Sequence, residues 1–445
     1  MDATATAADT SLSLPRRTVV SWMTIVVLTG VFFFSEHWNS QVSALHDFTI
    51  TGDEMAERSA EGDMGRRLAF PILGLFGVLL LLRRDGWQVH LQSPLAYLLL
   101  GYLAWCVMSI LWSDDPSLTM RRLGVLLCCS LGALGVARQL IPRDLCLVTL
   151  VVATVLILNG VRTEIALGTF HPLAADYRFA GTLHPNAQAP YCATMALAAA
   201  FLAFRVKRGR IILWTLCATG VALLLLTKSR TVCGSTCVGL LLFASLRASW
   251  PKRIVVAGGI VWAASTVLLV VSLLGWDAEH QTVNAALMGR QDEADSLSGR
   301  VPLWLELLPH VRDRLFFGHG YLTFWSPQRI AAFSHDLQWT VPDGHCAYLD
   351  TLLDLGVIGA ALCLVAIVTG IREVKRRFET SGGYGYGFLF ALLACRALNA
   401  LLESAFSTPT SFVPFIMVCG LLHLGYCREA EQSPAVEASP EESTR

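Results

Sequence analysis

The 445-residue chain is a succession of apolar runs, each close to the length that crosses about 30 Å of hydrocarbon. They fall at residues 19–35, 68–82, 94–112, 120–137, 145–162, 187–204, 211–227, 231–246, 254–275, 347–370, 384–402 and 412–426. Twelve such runs predict an all-α, polytopic membrane protein, because in lipid the backbone must satisfy its own N–H and C=O groups. Composition agrees: 54% of residues are hydrophobic, 15% are charged, and the mean hydropathy is +0.53. Soluble domains carry about 25% charged residues. The chain has too few charges to cover a soluble surface, which excludes soluble enzymes, nucleic-acid binders and disordered scaffolds.

The basic residues orient the spans. With a cytoplasmic N-terminal segment (1–18), the inner loops carry Arg83 and Arg84, then Arg138 and Arg143, then Arg205, Lys207, Arg208 and Arg210. Arg247, Lys252 and Arg253 follow, then Arg372, Lys375, Arg376 and Arg377. Both termini then face the cytoplasm, and the acidic, Ser/Pro-rich tail (427–445) reads as disordered. The first run lacks a small-residue cleavage site and reads as a membrane helix, not a removable signal peptide. Spans one to nine thus occupy 19–275 and spans ten to twelve occupy 346–426, separated by a hydrophilic outer-face insert at 276–345. That insert holds nine acidic side chains, five basic ones and five His, and loops this long are usually functional. Residues 301–308 and 311–317 within it read as helices lying at the membrane surface, as a packed cap over the bundle, or as both, with Pro309 between them. No internal repeat of the transporter kind is visible.

Most of the 13 Cys lie inside apolar runs and read as small packing residues. His335, Asp336, Asp343 and His345 could be drawn as a metal site, but their spacing matches no specific ligand motif, so no metal or cofactor is assigned. The 30 Arg against 4 Lys mostly mark the inner face. Topology does not account for Arg178, Arg230 and Arg300, which share the outer face with His345. Arg clamps phosphate bidentately and stays charged when desolvated. His takes a proton from a hydroxyl near neutral pH. Together they suit a lipid-linked pyrophosphate donor and a sugar hydroxyl acceptor. A polar-solute transporter or flippase is the alternative; it would place ionisable groups near the bilayer midplane, where the sequence offers little beyond Arg396.

Five short patterns occur in order: Arg178-x-x-Gly181-x-x-His184-Pro185-Asn186, Thr227-x-Ser229-Arg230, Ser298-Gly299-Arg300-x-x-x-Trp304, Gly318-x-Gly320-Tyr321, and His345-x-x-Tyr348-Leu349 running into Leu355-Gly356-x-x-Gly359. With Trp112-Ser113-Asp114-Asp115-Pro116-Ser117 in an early outer loop, the chain resembles the O-antigen ligase/polymerase family of bacterial membrane glycosyltransferases over about residues 90–425. The resemblance implies a GT-C-like bundle in the inner membrane, an undecaprenyl-pyrophosphate-linked glycan donor, a glycan or lipid-linked acceptor, and metal-independent inversion at the anomeric carbon. Flippase and chain-length or export proteins would be further partners. It also implies roles. Arg230 and Arg300 would neutralise the departing pyrophosphate, and His345 would accept the acceptor's proton. Arg178 and Asn186 would shape the donor site. Trp304 and Tyr348 would contact donor or acceptor. By their chemistry alone, Trp304, Tyr321, Phe324 and Trp325 are candidates either for stacking on sugar rings or for aromatic anchors at the membrane interface. Cys346 stands where the family usually has Asn. The Gly318–Trp325 stretch and the residues after Tyr348 look closer to exopolysaccharide polymerases of the succinoglycan type than to ligases that attach a chain to lipid A-core.

Overall fold

The computed structural model describes residues 17–37, 51–61, 64–83, 89–90, 93–174, 177–246, 300–404 and 410–427. Among them the regular structure is helical: α1 (Arg17–Phe32, continued by a π turn, Phe33–His37), α2 (Gly52–Glu61), α3 (Met64–Leu82), α4 (Pro94–Met108), α5 (Pro116–Gln139), α6 (Pro142–Leu167) and α7 (Pro185–Ala203). Then come α8 (Arg210–Leu226), α9 (Arg230–Leu246), α10 (Arg300–Asp313), α11 (Pro327–Leu337), α12 (Ala347–Ser381), α13 (Tyr384–Asn399) and α14 (Phe412–Tyr426). Eleven of the twelve apolar runs coincide with a helix, and the run at 254–275 lies outside the described residues.

Local chemistry sets the helix starts. Pro94, Pro116, Pro142, Pro185 and Pro327 each open a helix, where a missing N–H costs nothing and a fixed φ helps. The side chains of Ser93, Asp115, His184 and Ser326 accept hydrogen bonds from the first turns that follow them.

Among the described residues, six helical segments are long and apolar enough to cross a membrane: Val19–His37, Met64–Leu82, Pro94–Leu111, Pro116–Gln139, Pro142–Leu167 and Ala347–Ser381. α8, α9 and α14 are shorter apolar helices. α3 shows the pattern a bilayer demands. Phe70, Leu73, Phe76 and Leu80 are buried, while Leu68, Ile72, Leu75, Leu79 and Leu82 are exposed on the opposite face. A helix apolar on both faces is stable only with hydrocarbon on the outer one. Against its inner face α5 approaches closely, because Gly77 and Gly135 meet without side chains. A Cβ on Gly135 would sit 2.5 Å from the Gly77 carbonyl oxygen.

The described part of the insert, 300–345, packs as a cap. Leu303, Leu307, Phe324, Trp325, Ile330 and Phe333 form one apolar cluster with Leu353 of α12 and Ala56 of α2. Pro309 lies inside the single helix α10, which ends at Asp313, so the expected second helix at 311–317 is a turn after Asp313. α11 was not foreseen. Tyr321, Phe324 and Trp325, expected as stacking platforms, are buried at 5%, 0% and 6% exposure. They serve as core instead, and Trp325 Nε1 donates to Asp350 Oδ1 at 2.8 Å.

A kink joins cap and bundle. Gly356 has φ +66° and ψ −173°, a conformation that only Gly adopts readily. The broken helical ladder is completed from the cap. His319 N–H donates to Leu353 O (2.9 Å), Gly320 N–H donates to Asp354 O (2.8 Å), and Val357 N–H donates to Leu315 O (2.8 Å). The Gly318-x-Gly320-Tyr321 pattern is therefore a docking turn. Asp114 clamps the same region, 2.7 Å from His319 Nδ1, 3.0 Å from Arg329 and 3.5 Å from Arg314. Partial burial pushes its carboxyl up, but His319 and Arg329 outweigh that and hold it below the usual carboxylate range.

Candidate functional site

Four helices begin around one carboxylate, that of Glu403, in the turn after α13. Its Oε1 accepts from Arg300 Nη2 at 2.7 Å, from Asn186 Nδ2 at 3.3 Å and from Thr231 Oγ1 at 3.4 Å. Its Oε2 lies 3.8 Å from His345 Nδ1. Asn186, Thr231 and Arg300 stand in the first two positions of α7, α9 and α10, and His345 lies two residues before α12. Each helix start carries a partial positive charge and unfilled N–H donors. Their convergence, with an Arg among them, makes a nest suited to an anion.

Each member is held by identifiable contacts. Arg178 comes from the 177–181 loop, which Glu164 in the last turn of α6 organises. Glu164 Oε1 accepts from the N–H groups of Ala180 (2.9 Å) and Gly181 (2.6 Å), and Oε2 accepts from Tyr177 OH (2.5 Å). So fixed, Arg178 donates to Thr227 O at 3.1 Å and to Asn186 Oδ1 at 3.1 Å. It thereby ties the turn before Arg230 to the start of α7. Arg230 opens α9, half-buried, directly before Thr231. Arg300 opens α10 and is 9% exposed.

The turn around His345 is equally constrained. Its backbone sits at φ +48°, its N–H donates to Asp343 Oδ1 at 2.9 Å, and Trp339 stacks on its ring at 5.4 Å. Asp350, one turn into α12, accepts from Gly344 N–H at 2.9 Å and from Ser404 Oγ at 2.5 Å. Ser404 Oγ also lies 2.7 Å from Asp343 Oδ1, so the turns carrying His345 and Glu403 are stitched together. Burial pulls the imidazole pKa down, but the Asp343 charge and the hydrogen bond and charge of Glu403 outweigh burial and Arg300. The net shift is upward from 6.5.

Sequence-expected residues thus separate into two groups. Arg300, Asn186 and His345 meet at Glu403; Arg178 joins through Asn186, and Arg230 borders Thr231. Trp304 and Tyr348 lie beside the His345 turn with their polar atoms committed to it or its neighbour. Trp304 Nε1 donates to Gly344 O at 2.8 Å, and Tyr348 OH donates to Ala397 O at 2.9 Å. Cys346 is the N-cap of α12 and makes no side-chain cap hydrogen bond. An Asn there would cap the helix, which gives the departure at this position a physical meaning. Glu403, Glu164 and Asp350 were missed. Glu403 did carry a signal, being the single acidic residue between Glu379 and Glu429.

Among known proteins, residues 215–364 match the family model described as O-antigen ligase, about a third of the chain. The matched segment contains Arg230, Arg300 and His345 and ends shortly after the Gly356 kink. No curated protein matches the chain. Through this segment the chain, all-helical in its described regular structure and with several helices apolar enough to cross a bilayer, is similar to the O-antigen ligase family.

Proposed function

We propose that the protein is an inverting membrane glycosyltransferase that moves a glycan from an undecaprenyl-pyrophosphate donor to a sugar hydroxyl on the periplasmic face of the inner membrane. The carrying observation is the nest of four helix starts, Arg300 and His345 around the Glu403 carboxylate. That arrangement offers donors and cations for a pyrophosphate beside an imidazole for the acceptor. On this reading the bundle has twelve spans and a GT-C-like plan, with both termini cytoplasmic and the boundaries given above. The polyprenyl tail lies between helices while the sugars stay in water.

In the reaction the acceptor oxygen attacks the anomeric carbon from the face opposite the pyrophosphate. His345 takes the hydroxyl proton as the new C–O bond forms. The C–O bond to the pyrophosphate breaks, and the charge that develops on the leaving group falls against Arg300 and Arg230. Guanidinium groups suit this task because their planar forks match phosphate oxygens and never deprotonate. Arg178 fixes Asn186 and the turn before Arg230, which keeps donors on three elements in register. The reading favours polymerisation of exopolysaccharide or O-antigen repeat units, with ligation to lipid A-core as the second form of the same chemistry.

Deleting the gene and analysing surface and carrier-linked glycans tests both. Single repeat units accumulating on the carrier indicate a polymerase, and long unattached chains indicate a ligase. Intact surface glycans refute the proposal, as does wild-type glycan output from both Arg230→Ala and Arg300→Ala.

A further inference from the structure

The nest is already filled by an anion belonging to the chain itself. Glu403 Oε1 takes three donors at once, from α7, α9 and α10, and a carboxylate offers only acceptor oxygens, as a phosphate does. A phosphate entering the nest would meet Glu403 as a like charge at contact distance in a half-dry site. The two compete for Arg300, whose Nη2 Glu403 holds.

The fold provides a second place for the displaced charge. Seven residues earlier, inside α13, Arg396 is 7% exposed, and Glu403 is the charged group that bears most on it. Its Nη1 donates to Asn399 Oδ1 at 3.0 Å. Beside it lies a cavity of about 10 Å³ lined by Arg396, Asn399, Thr194, Ser235 and Thr236, which is room for a single water. Asn399 Nδ2 and Thr236 Oγ1 border this cavity, buried and without hydrogen-bond partners. The rest of the lining is apolar, from Pro190, Ala193, Leu197, Val232, Leu392 and Cys395, so the buried, unfilled polar atoms of Asn399 and Thr236 mark the side of the cavity where an acceptor is expected. Glu403 sits in the turn after α13, which backbone bonds from Ala347 N–H to the oxygens of Ala400 (3.0 Å) and Glu403 (3.2 Å), with the Ser404 hydroxyl on Asp350, tie to the start of α12 and leave the Glu403 side chain free to turn.

Resting on the proposed function, we infer that Glu403 is a tethered anion that occupies the phosphate nest when it is empty and yields it to the donor's pyrophosphate, its charge then facing Arg396 and the orphaned polar atoms below. One ion pair is exchanged for another, so neither the nest nor the carboxylate is left uncompensated. The same device favours product release, since the returning carboxylate competes with the spent pyrophosphate.

The test is inorganic pyrophosphate binding to the full-length protein in nanodiscs, measured by titration calorimetry. A latch closed nine-tenths of the time weakens apparent affinity about tenfold. Glu403→Gln should therefore bind pyrophosphate about tenfold tighter than wild type. Arg396→Gln, which removes the second cation, should bind more weakly than wild type. The double variant should match Glu403→Gln, because without the carboxylate Arg396 has nothing to receive. Asp343→Asn removes a nearby charge that does not touch Arg300 and should shift affinity less. Unchanged or weaker binding by Glu403→Gln overturns the latch. So does equal tightening by Asp343→Asn, the mark of net charge alone, or an Arg396 effect that persists without Glu403. If Glu403→Gln fails to fold, unchanged affinity in Arg396→Gln overturns it alone. Pyrophosphate binding to none of the forms refutes the anion-site reading itself, and the latch with it.

Discussion

Arg300→Lys probes the nest most sharply. The substitution keeps the positive charge and removes the planar fork. Arg300 and Glu403 side chains are 11% and 15% exposed and meet at 2.7 Å, so their hydrogen bond is charge-assisted and largely desolvated. Such bonds contribute about 1.5–3 kcal/mol. The ammonium is a compact point charge of shorter overall reach and can restore one contact but not two parallel ones. If the departing pyrophosphate uses the same fork, losing one arm in the transition state slows transfer by about ten- to a hundredfold, at 1.36 kcal/mol per decade. Arg300→Ala is a blunter probe. It strands Glu403 without its cation, and breaking a buried pair costs about 3–5 kcal/mol of stability. The assay is single-turnover transfer from a lipid-linked donor in proteoliposomes, with thermal unfolding in detergent as the folding control. Arg300→Lys should fall in single-turnover transfer rate with an unchanged unfolding temperature. A rate within about twofold of wild type, where ~1.4 kcal/mol marks a decade, would refute bidentate use of Arg300.

Three further outcomes are expected. The pKa of His345 is raised in the folded chain, so its charged form stabilises the fold below 6.5, and that contribution is lost as pH rises through the higher folded value. As a base it must be neutral, so transfer should rise with pH across a midpoint above 6.5, and Asp343→Asn should move that midpoint down; an unmoved acid limb excludes His345 as the titrating base. Gly356→Ala places a Cβ 2.2 Å from the Phe316 carbonyl oxygen at a φ of +66°, and should cost about 3 kcal/mol or more, read as a lower unfolding temperature and loosened hydrogen-exchange protection at 314–320. Cys346→Asn supplies the missing cap of α12 and should gain about 1 kcal/mol in unfolding measurements, with no gain counting against the N-cap assignment.

Hydrophobic run length carried most of the fold. The runs at 120–137 and 145–162 needed no tertiary information to be read as helices, and they lie within Pro116–Gln139 and Pro142–Leu167, because an apolar segment in lipid has helix as its solution. Asp115 with Pro116 marks the start of the first and Pro142 that of the second, for the same local reason. The cap was less legible. Tyr321, Phe324 and Trp325 look alike as sugar platforms or as core, since composition does not say which face a loop aromatic turns inward. The break in α12 hides in one Gly among several, and only the carbonyls that the cap borrows reveal why it stands there.

At the site, sequence determined the cast of cations. Arg178, Arg230 and Arg300 stand out because the positive-inside pattern gives no reason for Arg on the outer face. Their arrangement, and the acidic group at its centre, came from tertiary structure alone. Glu403 lies 103 residues from Arg300 and 217 from Asn186, and no local rule links such positions. Helix starts from α7, α9, α10 and α12 meet only once the bundle is packed, and the potential of several aligned dipoles exists only at that meeting point. Length and hydropathy made the helices; their convergence made an anion nest, and filled it with the chain's own carboxylate.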